Sequence, residues 1–310
     1  MRVIKAKVLG FCMGVRRAID LTGAEAQRAA KKNSQVFTIG KIIHNKRALD
    51  EITALGVRFE DELPANGANC SVVIRAHGIS PAVETDLREK NYHIVDATCP
   101  NVKLSQLKAE EFIRAGYGLF IAGDVNHAEI IGIAGYAREA PLQEAREAPL
   151  KEAQISNQIF CEVVGNAKDA GKAAKKLYGL NHDIKTAIIA QTTISEADYY
   201  KISEAVRLFF PNLEIIQTIC PATKERQSAL RELFEKTDAV IIAGGKESAN
   251  TQHLFSIAKE SGKPCALAED ASQISEEFFK YETVGISAGA STPDSVVDEI
   301  EERLIKSHLS

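Results

Sequence analysis

No apolar run in this 310-residue chain approaches the roughly 18 residues that a membrane-spanning helix needs. A large excess of charge of either sign is lacking as well. The formal net charge is −4, so nothing global points to nucleic acid or an anionic membrane, and no basic patch suggests RNA. The opening residues, Met1-Arg2-Val3-Ile4-Lys5, run straight into a β-like segment without the pattern of a secretory signal. The expectation is a cytoplasmic protein in which disulfides do not form, so the six cysteines are thiols, ligands or nucleophiles. Cys-x-x-Cys pairs, clustered ferredoxin spacing and a Gly-x-x-x-x-Gly-Lys-Ser/Thr loop are all missing. That excludes a zinc ribbon, a ferredoxin-type site and a P-loop nucleotide site.

What the chain does have is length and a rhythm. With 45% hydrophobic content it can bury a large core, in two or three domains rather than one. Strand-like runs are predicted at 3–9, 35–39, 71–75, 93–95, 118–122, 159–164, 186–190, 214–218, 239–243, 265–268 and 283–287. Helix-like runs separate most of them, among them 16–32, 45–55, 81–90, 102–114 and 195–209. The βαβα alternation implies parallel sheets covered by helices. In such sheets ligands bind beyond the carboxyl ends of strands, where loops enter helices.

One stretch organises the rest. Ala97-Thr98-Cys99-Pro100-Asn101-Val102 closes a strand-like run and opens a helix-like one. Pro100 suits the first helical position, and Cys99 then sits at the helix N-terminus, where the backbone dipole favours a thiolate. The arrangement recurs at Thr218-Ile219-Cys220-Pro221-Ala222-Thr223 and at Gly10-Phe11-Cys12-Met13-Gly14-Val15. Aligned on these cysteines the chain is an internal repeat. His127 and Ser248 fall at the same distance after Cys99 and Cys220, and His44 falls slightly farther after Cys12. Gly40, Gly123 and Gly244 precede them at one common spacing. A second family of turns also matches: Ala76-His77-Gly78-Ile79-Ser80-Pro81, Gln191-Thr192-Thr193-Ile194-Ser195-Glu196 and Ala288-Gly289-Ala290-Ser291-Thr292-Pro293. Ser80, Ser195 and Thr292 read as N-caps, with Pro81 and Pro293 as first helical residues.

The repeat predicts three similar small α/β units, each with a mainly parallel sheet, in a pseudo-threefold trefoil around a central cavity. The expected units are 1–97 (Cys12), 98–217 (Cys99) and 218–310 (Cys220, with a C-terminal helix). Residues 137–152 break the symmetry. They are an eight-residue tandem copy, Ala137 to Glu144 followed by Ala145 to Glu152. Its prolines interrupt helix and its charges favour water, so a surface excursion without chemistry is expected.

Three lone cysteines, one per unit, suit a single metal centre assembled from distant parts of the chain. A cubane iron–sulfur cluster held by three thiolates leaves one iron open to act as a Lewis acid while the cluster supplies electrons. Cys70, Cys161 and Cys265 lie in apolar strand-like runs and read as buried small hydrophobes. The polar turns contribute His44, His77, His127, Ser248, Asn250 and Ser291, whose N–H and O–H groups can donate to phosphate oxygens. Glu129 is the one carboxylate at a matched turn. Enclosed in a cavity beside an anion, it would hold a raised pKa and could donate protons. His93, His182 and His308 have no such placement, and His253 reads as packing on its helix.

The motifs Phe11-Cys12-Met13-Gly14-Val15, Ile43-His44-Asn45, Ala76-His77-Gly78, Ala97-Thr98-Cys99-Pro100, His127-Ala128-Glu129, Gln191-Thr192-Thr193, Cys220-Pro221-Ala222-Thr223, Ser248-Ala249-Asn250 and Ala288-Gly289-Ala290-Ser291 carry a resemblance. In that order, over nearly the whole chain, they resemble the 4-hydroxy-3-methylbut-2-enyl diphosphate reductase family. The resemblance implies a trefoil of three α/β units and the last step of the methylerythritol phosphate route to isoprenoids. It implies Cys12, Cys99 and Cys220 as ligands of a [4Fe-4S] cluster with one open iron. His44, His77, His127, Ser248, Asn250 and Ser291 match the family's diphosphate binders. Glu129 matches its proton relay, and Thr192 the hydroxyl partner near the substrate alcohol. Thr192 also aligns with His77 in the repeat. Thr223 matches a position near the cluster, and ferredoxin or flavodoxin is the implied electron donor. The duplicated octapeptide departs from the family pattern, as do Ala128 and Ala249, which remove no needed donor. Two other readings stay open at this level: a zinc-dependent hydrolase of a phosphorylated substrate using the same thiolates, and an iron–sulfur redox or iron sensor without turnover.

Overall fold

The computed structural model describes residues 1–43, 45–140 and 160–307. His44, Ile159, His308 and the octapeptide repeat from Pro141 onward lie outside the described residues. Through the first half of the chain the elements run β1 (Arg2–Lys5), α1 (Met13–Lys32), β2 (Gln35–Ile39), α2 (Lys46–Ala54), β3 (Val57–Glu60), β4 (Cys70–Ile74), α3 (Pro81–Glu89), β5 (His93–Asp96), α4 (Pro100–Arg114), β6 (Gly118–Ala122) and α5 (Ala128–Arg138). The second half adds β7 (Cys161–Val164), α6 (Ala167–Leu180), β8 (Thr186–Ala190), α7 (Glu196–Arg207), β9 (Glu214–Ile215), α8 (Pro221–Phe234), β10 (Ala239–Ala243), α9 (Ala249–Glu260), β11 (Cys265–Ala268), β12 (Thr283–Ala288) and α10 (Asp294–Ser307).

These strands form three four-stranded sheets of order β3-β2-β4-β5, β7-β6-β8-β9 and β1-β12-β10-β11. Every described pairing is parallel. The fold class expected from the βα rhythm therefore holds, as three parallel α/β layers of one topology. In each sheet the first central strand pairs with the next strand on one side and the third on the other. The break between them, at β2/β4, β6/β8 and β10/β12, is the switch point where loops diverge and leave a crevice.

The third sheet has a twist in its assembly. Its fourth strand is β1, which runs parallel to β12 with Arg2 opposite Thr283 and Lys5 opposite Ile286. The N-terminal strand thus leaves the first third of the chain and completes the sheet of the last. The consequence is regular: Cys12, Cys99 and Cys220 each follow the fourth strand of a sheet, β1, β5 and β9. The chain divides into two compact units. One holds residues 1–76, 93–97 and 220–310, and the other holds 77–92 and 98–219.

Burial explains why the central strands were legible. β6, β8 and β10 are buried at every residue, as expected of parallel strands covered on both faces. Side-chain alternation splits the second sheet's core in two. Phe120, Ala122, Ile188 and Ala190 pack with Leu177, Tyr199, Ile202 and Val206. Leu119, Ile121, Ala187 and Ile189 pack with Phe112, Ile113, Ile130 and Ile133. Truncating a fully enclosed residue such as Ile121 to alanine would cost about 2–5 kcal/mol. In the third sheet Ile241 and Ile286 meet Val296, Val297 and Ile300 of α10, while Val240 and Ile242 meet Leu230, Leu233 and Leu254.

Several expected boundaries move. β1 stops at Lys5 rather than Leu9, and β9 keeps only Glu214 and Ile215. β3 was not anticipated. α10 begins at Asp294, and the Thr292 hydroxyl donates to the Ala243 carbonyl at 3.0 Å. That bond ties the turn after β12 to the end of β10.

Candidate active site

Each singled-out cysteine is a helix N-cap. Cys12 precedes α1 and its sulfur accepts from the Val15 N–H at 3.4 Å. Cys99 precedes α4 and Cys220 precedes α8, each with proline at the first helical position. First-turn N–H groups and the positive end of the dipole point out of such a terminus, which favours an anionic sulfur there. All six cysteines are free thiols. Burial pushes the Cys161 thiol up to about 11. An inert, protonated thiol in a strand fits its reading as a packing residue.

In the unit holding residues 98–219, the loops after β4, β6 and β8 assemble the polar side chains. His127 caps α5, its Nδ1 accepting from the Glu129 N–H at 3.2 Å. A neutral imidazole accepting at Nδ1 carries its proton on Nε2. The His77 ring lies edge-on to it, 5.3 Å between centroids. Gly78 makes the turn beside His77 possible. Its φ is +73°, and a Cβ there would lie 2.4 Å from Gln106 Nε2.

Glu129 is 1% exposed. Its Oε1 accepts from the Thr192 N–H at 2.7 Å and its Oε2 from the Thr192 hydroxyl at 2.8 Å. A glutamate in the first turn of a helix ordinarily has its charge favoured by the dipole. Here burial wins and raises the carboxyl from 4.5 to about 7, against the two hydrogen bonds from Thr192, which lower it. Gln191 braces the arrangement. Its Oε1 accepts from the Asp124 N–H at 3.0 Å and its Nε2 donates to the Thr193 hydroxyl at 3.1 Å.

In the other unit the Cys12 N–H donates to the Ala290 carbonyl at 3.1 Å, joining the cysteine turn to the turn that carries Ser291. The Ser291 hydroxyl donates to Ser248 Oγ at 3.3 Å, and Ser248 caps α9. Asn250 is 6% exposed, and its Nδ2 has no partner among the described residues. A buried amide donor left unpaired costs free energy unless something arrives to accept from it. Thr223 is buried one turn into α8, its N–H bonded to the Cys220 carbonyl.

The structure thus pairs Glu129 with Thr192, His77 with His127, and Ser248 with Ser291, each pair within one unit. His44 lies outside the described residues. Among the described residues no three His, Cys, Asp or Glu side chains form a ready-made metal cage. Two further side chains matter here: Gln191, which lies in a matched turn but carries no assigned role there, and Arg226, which lies in none of the motifs. Arg226 is 3% exposed and on the same face of α8 as Leu230 and Leu233. That i, i+4, i+7 spacing was the available signal.

The LytB protein family model matches residues 3–305. A 4-hydroxy-3-methylbut-2-enyl diphosphate reductase of Treponema denticola is 38% identical over 313 residues, covering 99% of this chain and 100% of the relative. One of the same name from Aquifex aeolicus is 34% identical, covering 97% of this chain and 95% of the relative. Among solved structures, an (E)-4-hydroxy-3-methyl-but-2-enyl diphosphate reductase described as the terminal enzyme of the non-mevalonate pathway superposes with a TM-score of 0.69 at 34% identity, over 99% of this chain and 100% of that one. A Plasmodium falciparum reductase superposes with a TM-score of 0.82 at 24% identity, over 97% of this chain and 87% of that one, and attests the fold alone. Similarity that runs unbroken from the first strand to the last helix has one consequence: the chain belongs to the LytB protein family.

Proposed function

We propose that this chain reduces 4-hydroxy-3-methylbut-2-enyl diphosphate to isopentenyl and dimethylallyl diphosphates, with Cys12, Cys99 and Cys220 as ligands of a [4Fe-4S] cluster. The observation that carries the reading is the threefold recurrence of one device. A cysteine follows the fourth strand of each parallel sheet and caps the helix that comes next. Three soft donors at dipole-positive helix ends fit an iron–sulfur cluster and leave one iron without a protein ligand. When bound, the cluster supplies electrons, and that iron supplies Lewis acidity.

The chain's own residues do the rest. His44, His77, His127, Ser248, Asn250 and Ser291 anchor the diphosphate. The Asn250 amide, which has no partner among the described residues, is a donor in search of an acceptor. Anchoring the tail fixes the allylic alcohol and converts binding energy into orientation. Two electrons and two protons are consumed, one proton leaving in water and one ending on the allyl fragment. Glu129, raised to about 7 by its enclosure, still holds its proton in a large fraction of molecules at neutral pH. Its 2.8 Å bond to the Thr192 hydroxyl gives that proton a path. The carboxyl donates to Thr192 Oγ1, and the hydroxyl turns its own proton toward the substrate oxygen. Burial of both groups keeps bulk water from short-circuiting the transfer. Ferredoxin or flavodoxin is the electron donor.

The test is anaerobic reconstitution with iron and sulfide, followed by reaction with the diphosphate and reduced viologen. Bound iron, labile sulfide and both isomeric products are expected. Zinc as the sole bound metal, or phosphate release in place of the two diphosphates, would overturn the reading.

A further inference from the structure

Arg226 brings a full positive charge to the buried face of α8, and no carboxylate among the described residues pairs with it. Its Nη1 donates to the Ala222 carbonyl at 2.9 Å and its Nη2 to the Gly10 carbonyl at 2.7 Å. Ala222 is two residues past Cys220, and Gly10 is two residues before Cys12. The guanidinium therefore bridges two cysteine turns from elements far apart in sequence. Both partners are neutral, and Nε has no partner among the described residues. The charged groups that sense it are the thiols of Cys12 and Cys220 and, less strongly, the exposed Glu225.

Burying a cation without an anion is expensive, and the cost is recovered only when negative charge arrives. Burial pulls the Arg226 pKa down while the two thiols pull it back up. Arginine stays protonated in either case. A packing role would be met by leucine or methionine at this helix position, as it is at Leu230 and Leu233. The guanidinium is instead held by two backbone carbonyls at a place where the Cys12 and Cys220 sulfurs act on it more strongly than the exposed Glu225 carboxylate.

We propose that Arg226 is the fixed counter-charge of the Cys12 and Cys220 thiolates and sets the reduction potential of the cluster they hold. The inference rests on the cluster reading above and deepens it. Arg226 is a positioning and tuning residue that does not touch substrate. Adding an electron to a thiolate-ligated cluster increases its negative charge, so a nearby cation stabilises the reduced form. Removing the cation moves the potential down.

The test uses the anaerobically reconstituted wild type, Arg226→Gln and Arg226→Lys, each titrated with mediators and followed by EPR. Lysine keeps the charge and loses the two-carbonyl clamp, whereas glutamine loses the charge. The expected result is a reduced-to-oxidised ratio in Arg226→Gln about tenfold lower at a fixed applied potential, which is about 59 mV for a one-electron couple. Arg226→Lys should stay close to wild type. Equal potentials in wild type and Arg226→Gln, or equal shifts in both variants, would overturn the proposal in favour of a mechanical brace. If Arg226→Gln assembles no cluster, Arg226→Lys decides: assembly at the wild-type potential supports the charge, and failure of both variants refutes it. A wild-type chain that binds no iron and sulfide would remove the cluster reading itself, a result distinct from an unmoved potential.

Discussion

Replacing Glu129 by glutamine isolates the proton from the scaffold. Glutamine is isosteric, and its carbonyl oxygen still accepts one of the two bonds that Thr192 now donates at 2.7 and 2.8 Å. Its amide has no proton to give at any working pH. Losing a positioned general acid typically costs 10²–10⁴-fold in rate, so kcat should fall by that factor. KM should change by less than about threefold, because the diphosphate donors are untouched. The same carboxyl leaves a thermodynamic trace. Below pH 4.5 it is protonated in both folded and unfolded chains. Between 4.5 and about 7 the unfolded chain ionises while the folded chain keeps its proton, so stability declines with pH. Above about 7 the decline levels off. A rise from 4.5 to about 7 corresponds to about 3 kcal/mol at about 1.4 kcal/mol per pH unit. Urea titration of the cluster-free chain should show Glu129→Gln gaining that amount relative to wild type between pH 4 and pH 8 (about 3 kcal/mol). Infrared titration should show a buried carboxyl band lost near neutral pH in wild type and absent from the variant. Turnover of Glu129→Gln within about threefold of wild type would refute the assignment.

Other substitutions separate the remaining roles. Thr192→Val keeps the backbone donor and removes the hydroxyl, so the Glu129 carboxyl should rise further and kcat should fall about tenfold or more, read from the pH–rate profile. Asn250→Ala removes the unpaired amide and should raise KM for the diphosphate about 10–100-fold, the value of a hydrogen bond to a charged acceptor. The cluster spectrum of Asn250→Ala should not change. Cys99→Ser should abolish the iron–sulfur absorbance, while Cys161→Ser should leave it intact.

Much of this was readable in the sequence because the same physics recurs three times. The strands at 118–122, 186–190 and 239–243 were bounded correctly because they are buried on both faces and read as unbroken apolar runs. β3 escaped notice because Val57-Arg58-Phe59-Glu60 is a short edge strand with one solvated face. Its alternation, following Gly56, was the clue. The sequence suggests a longer β1 because apolar residues continue past Lys5. There the chain leaves the sheet to reach Gly10, whose φ of +73° and close approach to Asp294 suit only glycine. That β1 completes the third sheet was not legible, since local pattern says nothing of which distant strand becomes a partner. At the site, the cysteine N-caps and the Glu129 turn were visible as motifs. The direct bond from Thr192 to Glu129 was not, because it joins residues that only the β6/β8 crevice brings together. Arg226 was hidden by its type, since an arginine within Lys224-Glu225-Arg226-Gln227 reads as a solvated helix face.

The measurement closest to the central claim is Mössbauer spectroscopy of ⁵⁷Fe-reconstituted protein, with and without the diphosphate. The account predicts a [4Fe-4S] spectrum in which one iron site changes on substrate addition, and its loss on serine substitution of Cys12, Cys99 or Cys220. A spectrum indifferent to substrate, or one that survives replacement of any of those cysteines, would contradict it.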